Sequence, residues 1–355
     1  MSIFKDMLKQ GETLFKNEVA LDPEWVPKLL PFRDNQQFRI AACIKPLLQD
    51  RNGKNCIVYG APGIGKTAAT KWVLRDLEEN TDDIHPIYVN CWQKNTTYKI
   101  FVEICEQLGY RFTQNKNTEE LFKVIQNIVN KKKAVFVFDE TDKVQDLDFL
   151  YSILNDIMKK TIILITNYEN WFSTMEARIK SRLMPETIEF KEYSKKETHE
   201  ILKQRTGYAF VTGCWEKDAL ELISEKTSIA KDIRAGLFLL REAGLAAEEE
   251  SSRKITKKHA EKAIKKIPEF NTKNPENLTK EAKTVLELIK ENKETKIGDL
   301  YKIYQEKNGK GTYKTFQRRI EQLAKGGFIN TKKVIGGKEG TTTIVSEKNR
   351  SLEEF

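Results

Sequence analysis

Between residues 55 and 190, short unbroken apolar runs alternate with longer amphipathic stretches. The runs are Cys56–Tyr59, 87–89, 134–138 and 162–165, rich in β-branched and aromatic residues. A run that is apolar at every position suits a strand buried on both faces, as in a parallel sheet. The stretches between them, 70–77, 98–108 and 119–130, carry apolar residues at helical spacing and predict crossover helices. A further short strand is expected over 187–190. Strand and helix in alternation predict an α/β fold built on a parallel sheet.

From about residue 195 the strand signal vanishes. Ala219, Leu222 and Ile223, then Leu237, Leu240, Ala243 and Gly244, recur at helical spacing and predict a small domain of three or four helices. Residues 268–277 are polar with two prolines and read as a linker. Beyond them Leu278, Ala282, Val285, Leu286 and Ile289 form one helical stripe. Ile297, Leu300, Tyr301 and Tyr304 form a second, and Phe316, Ile320 and Leu323 a third. Phe328-Ile329, a Gly-rich turn at 336–340 and a Thr/Val run at 341–345 follow, which predicts a hairpin. Three helices and then a hairpin is the order of a winged helix-turn-helix. The expected domains are therefore 1–190, a helical domain over 191–267, and a winged helix over 278–346.

A chain of 355 residues has room for these domains. Net charge is +9, and the segment 275–355 holds 17 Lys and Arg against 12 Asp and Glu, more than half of that excess. A polyanionic partner is favoured, nucleic acid before membrane. Neither a membrane-length apolar run nor a secretory signal pattern is expected. Five scattered cysteines without a Cys-x-x-Cys pair read as reduced thiols, so a cytoplasmic protein is expected. The three histidines lack zinc-site spacing.

Gly60-Ala61-Pro62-Gly63-Ile64-Gly65-Lys66-Thr67 matches the P-loop pattern G-x-x-x-x-G-K-[ST], directly after a predicted strand and opening a predicted helix. Glycines let the backbone curl so that N–H groups face phosphate. Lys66 supplies charge for the β- and γ-phosphates of ATP or ADP, and Thr67 a hydroxyl for Mg²⁺. The run at 134–138 ends in Asp139-Glu140, at the strand end where open α/β sheets bind ligands. Asp139 is assigned to Mg²⁺ and Glu140 to the attacking water. Asn167 closes the next strand and is placed beside the γ-phosphate. Arg182 and Arg234 are candidates for stabilising charge on the γ-phosphoryl oxygens. By sequence alone, each reads first as a surface or ion-paired arginine.

P-loop, Asp-Glu, terminal Asn, Ser-Arg-Leu at 181–183, a small helical domain with Lys231-Asp232-Ile233-Arg234, then a winged helix: this order resembles the archaeal origin-recognition initiator family, the Orc/Cdc-type AAA+ ATPases. The stretch Leu21-Asp22-Pro23-Glu24-Trp25-Val26-Pro27 through Leu30-Pro31-Phe32-Arg33 is similar to the segment with which that family covers adenine. The resemblance implies an AAA+ domain with a helical lid, with Val26, Pro27 and Arg33 near the adenine. It implies Asn167 as sensor 1, Arg234 as sensor 2 reaching from the lid, and Arg182 as an arginine finger acting on a neighbour's ATP. Lys231 stands where the family usually has Gly, and Thr141 where it usually has an aliphatic residue. Residues 113–119 are the candidate for the family's inserted DNA-contacting element.

With Phe316, Ile320 and Leu323 facing the core, Lys314 and Arg318 fall on the opposite side of the third helix, with Thr315 and Gln317 on its flanks. These four, with Lys338 from the wing, are the expected contacts to double-stranded DNA. The leading expectation is an ATP-dependent replication initiator that hydrolyses ATP slowly. It would bind origin DNA, recruit or load a replicative helicase, and act with itself or a paralogue near the nucleoid, with no membrane role. Two alternatives stay open: a transposition, plasmid or viral AAA+ ATPase that targets DNA, and a winged-helix transcription regulator with a structural nucleotide.

Overall fold

The computed structural model describes residues 13–266, 280–292, 295–307, 309, 311–325, 329–334 and 342–347. The chain divides into two compact units, Met1–Ile264 and Lys265–Phe355.

The first unit is built on five strands: β1 (Cys56–Tyr59), β2 (Ile84–Asn90), β3 (Lys133–Asp139), β4 (Lys160–Thr166) and β5 (Glu186–Glu189). They pair in the order β2-β3-β4-β1-β5, and every pairing is parallel. Successive side chains alternate between the two faces. Ile57, Phe136, Phe138, Ile162 and Leu164 enter one core with Phe101, Ile104, Leu121 and Phe149. Cys56, Val58, Val135, Val137, Ile163 and Ile165 enter the other with Ile40, Leu47, Val73 and Leu74. Burial on both faces is why these strands lack polar alternation.

The helices of this layer are α1 (Asp34–Leu48), α2 (Lys66–Asn80), α3 (Thr97–Gln107), α4 (Thr118–Val129), α5 (Asp148–Asp156) and α6 (Ala177–Leu183). Asn117 and Glu120 form a reciprocal capping box at the start of α4. The candidate inserted element at 113–119 is therefore a turn leading into that cap, and its Thr113 is buried.

Four helices complete the unit: α7 (Lys195–Ala209), α8 (Lys217–Ala230), α9 (Ile233–Glu249) and α10 (Lys257–Lys265). Ser194 and Glu197 cap α7 in the same reciprocal way. A Cβ on Gly236 would stand 2.7 Å from Thr227 Oγ1 and 2.8 Å from Leu202 Cδ2, so glycine lets α9 approach its neighbours closely. Leu220 is buried where Leu222 was expected, and Leu222 is only half-buried.

The second unit holds α11 (Lys280–Glu291), β6 (Thr295–Lys296), α12 (Ile297–Glu306), α13 (Tyr313–Lys325), β7 (Ile329–Val334) and β8 (Thr342–Glu347). Its strands form an antiparallel sheet in the order β6-β8-β7. Val285, Leu286, Ile289, Ile297, Leu300, Tyr304, Phe316, Ile320, Leu323, Ile329 and Val345 make its core. This is a winged helix. The expected linker, Leu278, Phe328 and the Gly-rich turn at 336–340 lie outside the described residues.

Candidate nucleotide-binding site

Register brings the chemistry to one edge. Tyr59 pairs with Thr166, Asn90 with Asp139, and Phe138 with Leu164. The residues that follow these strand ends, Gly60, Asn167 and Glu140, therefore meet at the C-terminal rim of the sheet, where the strand order places β1 beside β4.

The loop after β1 turns on Gly60, Gly63 and Gly65, at φ +147°, +74° and +88°. Glycine reaches these angles without the steric cost a side chain imposes. A Cβ on Gly60 would also stand 2.3 Å from Phe190 O. Lys66, only 6% exposed, donates to Gly60 O at 2.8 Å, Ala61 O at 2.7 Å and Asn167 Oδ1 at 2.8 Å. Burial pulls its ammonium down to about 8, against the pull of Asp139, Glu140 and Asp142.

Thr67 Oγ1 donates to Asp139 Oδ2 at 2.6 Å, and Tyr88 OH donates to the same oxygen at 2.8 Å. Glu140 sits in the left-handed region at φ 56°. Burial, then the Asp139 and Asp142 carboxylates, raise its carboxyl above the usual range. Asn167 Nδ2 donates to Glu140 Oε2 at 2.9 Å. Thr141 is fully buried and donates to Ile165 O at 3.0 Å, which explains how a hydroxyl is accommodated in an aliphatic position. Asp142 accepts from Thr166 Oγ1 at 3.1 Å and pairs with Lys143 at 2.6 Å.

Lys66, Thr67, Tyr88, Asp139, Glu140 and Asn167 line one cavity of about 390 Å³. Its walls include Pro62, Gly63, Gly65, Lys66, Thr67, Asp139, Glu140 and Asn167 from the sheet edge, and Val26 and Pro27 from the N-terminal segment. Ile201, Ile233 and Arg234 close it from the helical domain. Gly60, Ala61 and Ile64 of the loop are not among its walls.

Arg33 is not on the cavity wall. It is 4% exposed, and its Nη2 donates to Ile64 O at 2.9 Å and Lys191 O at 2.7 Å. Its Nε donates to Tyr193 OH at 2.9 Å, and the guanidinium lies 3.9 Å from the centre of that ring. The carbonyls of Ile64 and Lys191 and the Tyr193 hydroxyl take up its donors, so the side chain braces the P-loop from behind.

Arg182 lies on α6, exposed, hydrogen-bonded to Asn155 and over the Tyr151 ring at 5.4 Å. It is not brought to the cavity of its own chain. Arg234 is, with its guanidinium on Asp232. Lys231 adopts φ 55°, the left-handed conformation that favours Gly, and its ammonium pairs with Glu192 at 2.8 Å.

The sequence reading missed four residues here. Tyr88 holds Asp139, and Tyr193 faces Gly65, where a Cβ would stand 2.9 Å from its hydroxyl. Lys71 lines the cavity and pairs with Glu24 at 2.6 Å. Arg205 lines it too and donates to Ala20 O at 3.0 Å and Trp25 O at 3.3 Å, which fastens the N-terminal segment to α7.

In the winged helix, Lys314, Thr315 and Arg318 are exposed on α13 and Gln317 is half-buried, while Phe316 and Ile320 face the core. Thr315 N donates to Thr312 Oγ1 at 3.4 Å at the start of the helix. Tyr313 packs edge-on against Tyr301 at 5.1 Å. Lys338 lies outside the described residues.

Residues 49–170 match the family model of an AAA domain, and 199–265 that of a Cdc6 AAA+ ATPase-type lid domain. The chain is 30% identical over 362 residues to ORC1-type DNA replication protein 2 of Methanosarcina acetivorans, covering 97% of this chain and 95% of that one. It is 31% identical over 357 residues to ORC1-type DNA replication protein 1 of Sulfurisphaera tokodaii, covering 94% and 90%. The chain belongs to the ORC1-type DNA replication protein family. Among solved structures, the Aeropyrum pernix ORC1 protein in complex with DNA matches with a TM-score of 0.70 at 26% identity, covering 95% of this chain and 94% of that one. The ORC2 protein of the same organism, solved as ADPNP–ADP complexes, shares the fold at a TM-score of 0.67 and 20% identity. The AAA+ ATPase fold with lid and winged helix is thus a property of this family member. Among the described residues no helix is long and apolar enough to cross a membrane.

Proposed function

We propose that this chain is a DNA replication initiator that binds origin DNA through its winged helix in an ATP-dependent manner and hydrolyses ATP slowly as a switch. The observation that carries the nucleotide half is the convergence of Lys66, Thr67, Asp139, Glu140, Asn167 and Arg234 on one cavity closed by Val26 and Pro27. Backbone N–H groups of the P-loop and Lys66 hold the phosphates. Thr67 and Asp139 present two hard oxygens 2.6 Å apart, a donor set that suits Mg²⁺. Bound with the nucleotide, Mg²⁺ supplies neutralisation of phosphate charge. Glu140, with its raised carboxyl, accepts a proton from the attacking water, and Asn167 fixes its orientation. Arg234 reports the γ-phosphate to the lid.

Arg182, away from its own chain's cavity, acts on the nucleotide of a neighbouring copy or paralogue. Turnover is then slow until that neighbour is present. Lys314, Thr315, Gln317 and Arg318 contact DNA, with Lys338 from the wing. The bound state recruits or loads a replicative helicase at the nucleoid. The DNA-bound ORC1 relative supports the DNA half.

The test is binding to fragments tiled across the source genome, with ATP, at about 150 mM salt, where phosphate contacts alone lose most of their affinity. A few fragments bound at least about 10³-fold more tightly than the rest support an initiator. Uniform binding that disappears with salt removes the origin assignment.

A further inference from the structure

The inference concerns how the site distinguishes ATP from ADP, and it rests on the reading of Arg234 as the γ-phosphate contact. In this structure the Arg234 guanidinium is held by Asp232: Nη2 donates to Oδ2 at 2.7 Å, and Nε to Oδ1 at 3.0 Å and Oδ2 at 3.2 Å. The same Oδ1 accepts from Arg234 N at 2.9 Å as the N-cap of α9. The Asp232 side chain is 17% exposed and that of Arg234 53%.

Asp232 also rests on the phosphate loop. A Cβ on Gly63 would stand 2.0 Å from Asp232 Oδ1, and Ile233 N donates to Gly63 O at 3.1 Å. Gly63 is therefore the residue that makes room for this carboxylate, at a loop whose N–H groups attract anions. Lys231, just before it in the chain, pairs with Glu192 at 2.8 Å, and Arg234 pairs with Asp232 at 2.7 Å.

A guanidinium edge made of Nε and one Nη satisfies one bidentate anion at a time. A phosphoryl group in the cavity that Arg234 lines competes with Asp232 for that edge. We infer that Asp232 is a positioning residue, an internal counter-anion that holds Arg234 and that the γ-phosphoryl group of ATP displaces. ADP lacks the group and leaves the pair in place. Because Asp232 caps α9 and abuts Gly63, the exchange is felt at the first turn of the lid.

Asp232→Asn tests this, since Asn caps a helix as well as Asp but carries no charge. ATP and ADP affinities are measured by titration calorimetry for wild type, Asp232→Asn, Arg234→Ala and the double variant. The expected result is ATP bound about three- to fivefold more tightly by Asp232→Asn with ADP unchanged, the scale of a partly exposed ion pair. In the Arg234→Ala background that gain should vanish. A purely structural role would move both nucleotides together and leave their ratio alone. An unchanged ATP/ADP ratio in Asp232→Asn, or a gain that survives Arg234→Ala, overturns the role of Asp232. A ratio unaffected by Arg234→Ala itself removes the γ-phosphate reading beneath it.

Discussion

Asn167 Nδ2 donates to Glu140 Oε2 at 2.9 Å. The other atom of that amide, Oδ1, accepts from Lys66 at 2.8 Å, so one side chain ties the end of β4 both to the P-loop and to the residue after β3. Glu140→Gln keeps the size and hydrogen-bonding capacity of the side chain and removes its basicity. ATP binding should persist while turnover falls by roughly 10²–10⁴-fold, the scale of a lost general base. Single-turnover hydrolysis of labelled ATP measures it, and a variant that turns over like wild type would point to a structural nucleotide.

Burial holds the Lys66 ammonium at about 8. Bound phosphates favour its charged form, so its pKa rises on binding. Between the two values, binding takes up a proton, and ATP affinity should decline as pH climbs past about 8. Calorimetry in buffers of different ionisation enthalpy reads the proton directly. Affinity flat from pH 7 to 9.5 would contradict the assigned environment.

Glu140 titrates in the opposite sense. Its raised carboxyl must be ionised to accept a proton, so hydrolysis should be lost on acidification at a higher pH than an ordinary glutamate would give. A pH–rate profile whose acidic limb sits at the usual carboxylate value would contradict this.

Arg33 is expected to act as a brace through Ile64 O and Lys191 O. Arg33→Met would leave Ile64 O and Lys191 O without these donors. At about 1–3 kcal/mol for each unsatisfied group, the variant should lose roughly 2–6 kcal/mol of stability. Denaturant unfolding measures it, and the same loss with and without nucleotide is expected of a brace. Nucleotide affinity lost at unchanged stability would return Arg33 to the ligand.

Lys314→Ala and Arg318→Ala should separate by role on origin fragments. Loss of a phosphate contact lowers the salt slope by about 1 and weakens all sequences alike. Loss of a base contact relaxes specificity by about 1–3 kcal/mol at one position. Wild-type binding in both variants would move the interface off α13.

The sequence by itself determined the P-loop motif, the parallel sheet with Asp139-Glu140 at a strand end, and the helical and winged-helix parts that follow. Those features are local: a motif of glycines and a lysine, an apolar run ending in acids, a change of period from strand to helix. The apolar stripes of α11, α12 and α13 likewise identified the core face of the winged helix, which left Lys314, Thr315 and Arg318 outside. What only the tertiary structure decided is pairing across sequence distance. Nothing near Tyr88 says that its hydroxyl meets Asp139, because strand order brings β2 beside β3. Nothing near Arg33 distinguishes a ligand from a brace, since both need a buried guanidinium and differ only in which acceptors surround it. In the sequence Asp232 stands out only within the Lys231-Asp232-Ile233-Arg234 stretch. Its contact with Gly63 exists because the lid folds back over a loop about 170 residues earlier, and side-chain chemistry is read from spacing only when the partners share an element.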